Sequence, residues 1–170
     1  METEIRIERI EQLDTRLSAF AEMLIAVVHD GASIGFLPPV SVAKAEQYWR
    51  SVPDEDVIVL IAEIDGQLAG TVQIHLCNKP NGMHRAEIAK LMVHPSFRRR
   101  GIARLLMDQA EQYAREKERI LLVLDTRDGD PSNTLYRSLG YIQAGQIPHF
   151  AISAIGGLDA TNLYYKLLQF

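Results

Sequence analysis

The residues with the clearest chemical meaning form the run Arg98-Arg99-Arg100-Gly101-Ile102-Ala103. It follows an apolar stretch, Ile88-Ala89-Lys90-Leu91-Met92-Val93, that closes on His94-Pro95. It opens an amphipathic segment reaching about Lys117. A strand therefore leads through a short turn into the first turn of a helix. Helix N-termini leave about four backbone N–H groups unpaired and carry a partial positive charge, so a phosphate or pyrophosphate fits there. Gly101 and small Ala103 let such a ligand approach the backbone closely. Arg98, Arg99, Arg100 and Arg104 can add charge-assisted contacts to phosphate. Without Gly101 the same arginines would read equally well as a solvated charge run.

Three further groups could carry acid–base chemistry. Glu87 lies on the strand that leads to this run. The alternative is a solvated strand residue. Asp125 ends the apolar strand 120–124, where open α/β sheets place their ligands; the alternative is a turn or capping role with Thr126. Tyr136 sits in a short helix after Pro131 and can face the strand ends, or it can be a buried tyrosine bonding a carbonyl. His75 and Cys77 alternate on one face of a strand, but no orienting third group is evident, so Cys77 reads as a buried cysteine. Tyr48 and Trp49 read first as helix packing and second as pocket lining. The five histidines show no metal-ligand spacing, and no metal is expected. No P-loop and no Gly-x-Gly-x-x-Gly fingerprint is present.

The elements that must hold these groups follow from periodicity and breakers. Residues 5–7 alternate like an edge strand, and Leu13, Leu17, Phe20, Ala21, Leu24 and Val28 recur at helical spacing. A loop with two glycines and two prolines covers 31–39. A helix covers 41–50 with Ser41 as N-cap and Pro53 beyond its end. Strands over 57–63 and 67–77 are joined by Asp65-Gly66, a strong hairpin signal. A turn-rich loop spans 78–82, a strand 85–93 and a helix 102–117. The continuous apolar run 120–124 suits a central strand covered on both faces. Asp130-Pro131 reads as N-cap and first residue of a helix ending at Leu139-Gly140. Final strands cover 141–147 and 162–168. The unit 85–124 is then a βαβ crossover with parallel strands. The three consecutive strands before the crossover helix are antiparallel, so the sheet is mixed, with a ligand at the C-terminal ends of the parallel pair.

Composition bounds the rest. A chain of 170 residues, 47% apolar and 24% charged, is an ordinary globular protein and one domain, 1–170. Its net charge of −4 argues against a nucleic-acid partner, and the arginine run lacks the interleaved aromatics of a single-strand binder. One cysteine excludes an intrachain disulfide and suits a reducing cytoplasm. The charged first thirty residues are not expected to serve as a signal h-region. No apolar run reaches the ~20 residues of a membrane span, so no membrane partner is expected.

Arg98-x-x-Gly101-x-Ala103, after a strand ending Val93-His94-Pro95, resembles the acetyl-coenzyme A signature of the GNAT acetyltransferase superfamily, Gln/Arg-x-x-Gly-x-Gly/Ala. Tyr136-Arg137-Ser138-Leu139-Gly140-Tyr141 is similar to that family's downstream Tyr-x-x-x-Gly-Phe/Tyr. The resemblance is firmest over 56–148. Residues 29–36 and 79–82 look closer still to its tabtoxin-resistance branch, which acetylates a β-lactam toxin. It implies an α/β (α+β) fold: a mixed, mostly antiparallel seven-stranded sheet with a central parallel pair, flanked by about four helices. It also implies transfer of an acetyl group from acetyl-CoA to an amine by direct attack in a ternary complex. The acceptor would be a small-molecule amine or amino-acid-like compound, and the assembly a monomer or homodimer.

An alkyl amine resembles lysine, with a pKa around 10.4, so a base or water chain must take its proton. The resemblance gives that task to Glu87, where some members place a catalytic glutamate, with Asp125 as second candidate. It gives the leaving thiolate's proton to Tyr136. Donor contacts fall to backbone groups of Leu91, Met92 and Val93 and to Arg98, Arg99, Arg100, Gly101, Ile102, Ala103 and Arg104. Gly129 stands where the family often has a cofactor-binding Asn; Asp130, Ser132 or Asn133 would take over that contact. The competing reading is a non-catalytic acyl-CoA-binding or regulatory module on the same fold.

Overall fold

The computed structural model describes residues 3–169. Strands β1 (Ile5–Ile10), β2 (Val57–Ile64), β3 (Gln67–Leu76), β4 (Arg85–Val93), β5 (Leu121–Arg127), β6 (Ile142–Ile152) and β7 (Leu158–Leu167) form one sheet. Their order is β1-β2-β3-β4-β5-β7-β6, antiparallel throughout except for β4–β5. Helices α1 (Leu17–His29) and α2 (Val42–Ser51) precede β2, α3 (Ile102–Glu116) crosses from β4 to β5, and α4 (Ser132–Ser138) follows β5. The mixed sheet, the parallel pair and the four helices match the expected architecture.

Each face of the sheet buries one core. On one side Ile102, Leu106, Met107, Ala110 and Ala114 of α3 pack against Leu60, Val72, Ile74, Ile88 and Leu122. On the other side Phe20, Met23, Leu24 and Val27 of α1 and Trp49 of α2 cover Val59, Ile61 and Met92. Fully burying a Leu, Ile or Met contributes about 1.5–3 kcal/mol, so α3 is held by its apolar stripe. At the start of α2, Ser41 Oγ accepts from Lys44 N at 3.1 Å, the cap its position suggested. The β2–β3 turn puts Asp65 and Gly66 at φ 51° and 76°, the left-handed pair that suits a two-residue hairpin. No helix among the described residues is long and apolar enough to cross a membrane.

Several boundaries differ from expectation. β5 continues past Leu124 to Arg127, because Asp125, Thr126 and Arg127 stay in register with Leu163, Asn162 and Thr161 of β7. Asp125 therefore lies within the strand and does not end it. Helix α4 starts at Ser132 with Pro131 as its cap residue, and Asp130 makes no cap. The Asp130 carboxylate instead accepts from Arg127 Nε at 2.9 Å. β6 and β7 form a longer hairpin than the apolar pattern suggested, since exposed edge residues need no alternation to pair. A 3-10 turn over Pro95–Phe97 precedes the arginine run.

Candidate active site

The site begins with a defect in β4. Thr71 of β3 pairs with Met92, and Gln73 pairs with Ala89, so Lys90 and Leu91 together oppose Val72. This is a β-bulge, and Lys90 takes the left-handed φ of 55° that it requires. Bulges bend a strand and increase its twist. β4 and β5 accordingly stay paired over only three positions, Arg85↔Leu121, Ala86↔Leu122 and Glu87↔Val123. Beyond them the strands diverge, although β4 runs to Val93 and β5 to Arg127. Among the described residues Leu91, Met92 and Val93 thus have no register partner on the β5 side. An extended ligand can pair with such an edge as an added strand would.

At the end of β4 the chain reverses into α3. Arg99 and Gly101 both adopt left-handed backbone, with φ of 62° and 77°. The first helical bond runs from Leu105 N to Gly101 O at 3.1 Å, and no side chain caps the helix. The N–H groups of Ile102, Ala103 and Arg104 therefore lack partners within the helix, as an anion site requires. A Cβ on Gly101 would meet nothing within 4 Å, so the glycine answers to its φ and to ligand access. The arginine side chains have other engagements. Arg98 pairs with Asp30 at the end of α1, Arg100 lies 5.5 Å over the Phe97 ring, and Arg104 donates to Ser138 Oγ at 2.7 Å. At this helix start the unpartnered donors are backbone N–H groups, while three of the guanidinium groups are engaged elsewhere.

The face of the sheet toward α2 carries the titratable groups. Glu87 is exposed on that face of β4, opposite His75 of β3 and Val123 of β5. Asp125 is exposed on β5, its Oδ2 accepting from Thr161 Oγ1 at 2.8 Å. The two carboxylates share a neighbour in Lys90. Burial pushes the Lys90 ammonium below the ordinary lysine value, while Asp125 and then Glu87 pull it back up. Lys90 Nζ donates to Ile34 O at 2.8 Å, and Arg127 donates to Gly31 O at 2.8 Å. The 31–39 loop is thereby tied to the two strands that diverge, and its Phe36 meets Tyr48 edge-on at 5.1 Å.

Tyr136 is buried on the other face between Tyr141 and Tyr164, with ring centroids 5.8 and 6.0 Å away. Burial first and the nearby Asp125 charge second hold its hydroxyl far above the ordinary tyrosine value, so it stays protonated. Its oxygen makes no hydrogen bond among the described residues, which leaves the proton available to a ligand.

The Asn133 side chain is engaged within the fold. Its Nδ2 donates to Arg127 O and Asp130 O, both at 2.9 Å. Its Oδ1 accepts from Asn162 Nδ2 at 2.9 Å and Tyr164 Oη at 2.8 Å. An amide has two donors and two acceptor lone pairs, and all four are used. Its amide is the centre of a knot that joins β5, α4 and β7, which leaves it no free donor or acceptor for a ligand.

The profile of the acetyltransferase (GNAT) family matches residues 33–141, which contain the bulge, the arginine run and Tyr136. This chain belongs to the GNAT acetyltransferase family. An uncharacterised N-acetyltransferase from the hisH–hisA intergenic region of Azospirillum brasilense is 30% identical over 132 residues, 74% of this chain and 77% of that protein. Two solved structures share the fold. Ribosomal-protein-alanine N-acetyltransferase from Brucella melitensis superposes with a TM-score of 0.81 at 22% identity, over 96% of this chain and 99% of that one. The acetyltransferase yncA from Salmonella typhimurium, solved with acetyl-CoA, gives 0.80 at 18%, over 97% and 94%.

In this GNAT chain the structure brings Glu87, Asp125 and the Leu91–Val93 edge to one opening, with the Gly101 turn at its end. Lys90 and Gln73 were not foreseen beside these residues, and Tyr48, read second as pocket lining, bonds Gln73 there. The bulge did leave a signal. The β4 positions that pack on the α3 side change parity, from buried Ala86 and Ile88 to half-buried Leu91 and Val93. A two-residue period cannot make that change without an extra residue.

Proposed function

We propose that this protein transfers the acetyl group of acetyl-CoA to the amine of a small molecule, both substrates being bound together. The opening between β4 and β5 carries this reading. It gathers an unpaired strand edge, uncapped helix N–H groups and two carboxylates on one side of the sheet. These residues fit the donor: Leu91–Val93 would take an extended arm through backbone groups, and the turn from Arg98 to Arg104 would take the diphosphate. Acetyl-CoA supplies an activated thioester carbonyl. The acceptor lies on the α2 side, beneath the 31–39 loop.

Glu87 drives removal of the amine proton, supported by Asp125. A backbone N–H of the Leu91–Val93 edge would stabilise the carbonyl oxygen as negative charge develops there; one such donor is worth about 3–4 kcal/mol. Tyr136 supplies a proton to the sulfur as the bond to carbon breaks. A module that only binds acyl-CoA needs none of Glu87, Asp125 and Tyr136.

Thiol release from acetyl-CoA, measured over amines, amino acids, antibiotics and ribosomal-protein N-terminal peptides, tests the proposal. Turnover with a small amine is expected, and Glu87→Gln should lower kcat about 100-fold with acetyl-CoA affinity unchanged. Tight acetyl-CoA binding without thiol release from any acceptor overturns catalysis in favour of the binding module. Turnover of the peptides alone overturns the small-molecule assignment.

A further inference from the structure

Three polar side chains stand in line on the α2 side of β3. Gln73 and His75 are two residues apart and share a face, and Tyr48 meets them from α2. Gln73 Nε2 donates to Tyr48 Oη at 3.0 Å, and Gln73 Oε1 lies 2.9 Å from His75 Nε2. A carbonyl oxygen only accepts, so His75 Nε2 carries the ring proton and Nδ1 is left as the basic nitrogen. Gln73 is 1% exposed, which fixes the amide and through it the ring. His75 itself is only partly buried and pairs in register with Glu87. The groups acting on the ring are Gln73 beside it on β3, Asp54 from the α2–β2 connection, and Glu87 and Lys90 from β4; Tyr48 of α2 reaches it only through Gln73. Burial, and to a lesser extent Lys90, favours the neutral ring; Glu87 and Asp54 oppose them.

We propose that His75 Nδ1 takes the proton from the acceptor nitrogen, with Gln73 as the positioning residue and Glu87 as counter-charge to the imidazolium. This rests on the acetyl-transfer reading and names the atom that receives the proton. The nitrogen lone pair forms a bond to the carbonyl carbon, the carbon–sulfur bond breaks, and its electron pair leaves on sulfur. The proton lost by nitrogen goes to Nδ1 and then to solvent, while the thiolate takes one proton. An amide and a free thiol result. As the new bond forms, the nitrogen becomes far more acidic than a free ammonium, so a weakly basic ring suffices. Glu87, directly opposite, lowers the cost of the charge that appears on it.

The experiment uses an amine that the wild-type enzyme acetylates, followed from pH 5 to 9. His75→Gln should lower kcat about 100-fold, leave the KM for acetyl-CoA unchanged, and remove the acid limb of the profile. Gln73→Leu should lower kcat without restoring it at any pH. Gln73→Glu keeps an acceptor for the His75 N–H and reverses the Tyr48 contact, the hydroxyl now donating to the carboxylate, so activity returns. Its added negative charge raises the ring's proton affinity and moves the acid limb to higher pH, a shift that mere packing would not produce. Nitrogen NMR of the unaltered protein should find the proton on His75 Nε2. A His75→Gln enzyme within threefold of wild-type kcat and with the same profile overturns the assignment, as does a ring protonated on Nδ1. In both cases acetyl transfer stands. A wild-type enzyme that acetylates no amine overturns that reading and this one together.

Discussion

Gly101 separates strain from charge at the donor site. A Cβ there meets nothing within 4 Å, but φ is 77°. Gly101→Ala therefore tests conformation alone. Left-handed backbone costs an L-residue about 1–2 kcal/mol, which in a chain of this size lowers Tm by roughly 2–4 °C per kcal/mol. If all of that strain fell on the bound state, affinity for acetyl-CoA would weaken by about 5- to 30-fold, and it should weaken by no more. Gly101→Glu adds a charge beside the diphosphate. Two unit charges about 5 Å apart at an effective dielectric of about 20 repel by about 3 kcal/mol, or roughly 200-fold in affinity on top of the strain. The Glu variant should therefore be about as stable as the Ala variant but bind far more weakly. Calorimetry with acetyl-CoA on both variants, with Tm as control, reads the difference. Equal affinities for the Ala and Glu variants would show that no anion sits at this helix start, and the site would be wrong.

Tyr136→Phe removes a hydroxyl with no bond among the described residues, so Tm should move by the equivalent of at most ~1 kcal/mol while kcat falls about ten- to hundred-fold. A large loss of Tm with normal kcat would make Tyr136 a packing residue. Asn133→Ala breaks four hydrogen bonds within a buried knot and should cost about 2–4 kcal/mol, measured by urea unfolding, with acetyl-CoA affinity unchanged in the folded variant; a tenfold weaker affinity would return Asn133 to the donor site. The Arg16 hydrogen bond and charge hold Glu63 below the ordinary glutamate range. A depressed carboxyl contributes stability above its unfolded value of roughly 4.3 and loses it as pH falls toward the folded one. Arg16→Gln should thus lower Tm more at pH 7 than at pH 3, and equal losses at the two values would refute the coupling.

The sequence carried the element order because its signals are local. Ser41, Asp65-Gly66 and the 120–124 run each specify one cap, turn or buried strand. Gly101 was legible for the same reason, since a glycine between a strand and an amphipathic helix has few other uses. Glu87 and Asp125 could be placed on strands, but not on one face beside Lys90, because that proximity depends on the sheet order. The bonds of the Asn133 amide were not legible because its partners, Asn162 and Tyr164, come from β7, about thirty residues on. Nothing near Asn133 in the chain announces them. The arginines illustrate the same limit. In the sequence they read as adding contacts to those of the backbone, and Arg98, Arg100 and Arg104 also meet Asp30, Phe97 and Ser138, of which Asp30 and Ser138 come from distant segments that the run itself does not announce.

The short parallel ladder between β4 and β5 has a mechanical consequence. Three residue pairs hold strands β1–β4 to strands β5–β7 in the sheet; helix α3 and a few bonds such as Arg127 to Gly31 O and Ile120 N to His84 O complete the junction. The molecule is two antiparallel sheets sharing a brief seam, and that seam is its most compliant line. Opening there exposes few ladder bonds, so amide hydrogens near residues 88–93 and 124–127 should exchange sooner than those of β2 and β3. A ligand lying in the opening supplies the missing stitches and couples the halves. It then stabilises the whole chain by mass action, and the cooperativity of unfolding becomes a property of the liganded state more than of the polypeptide alone.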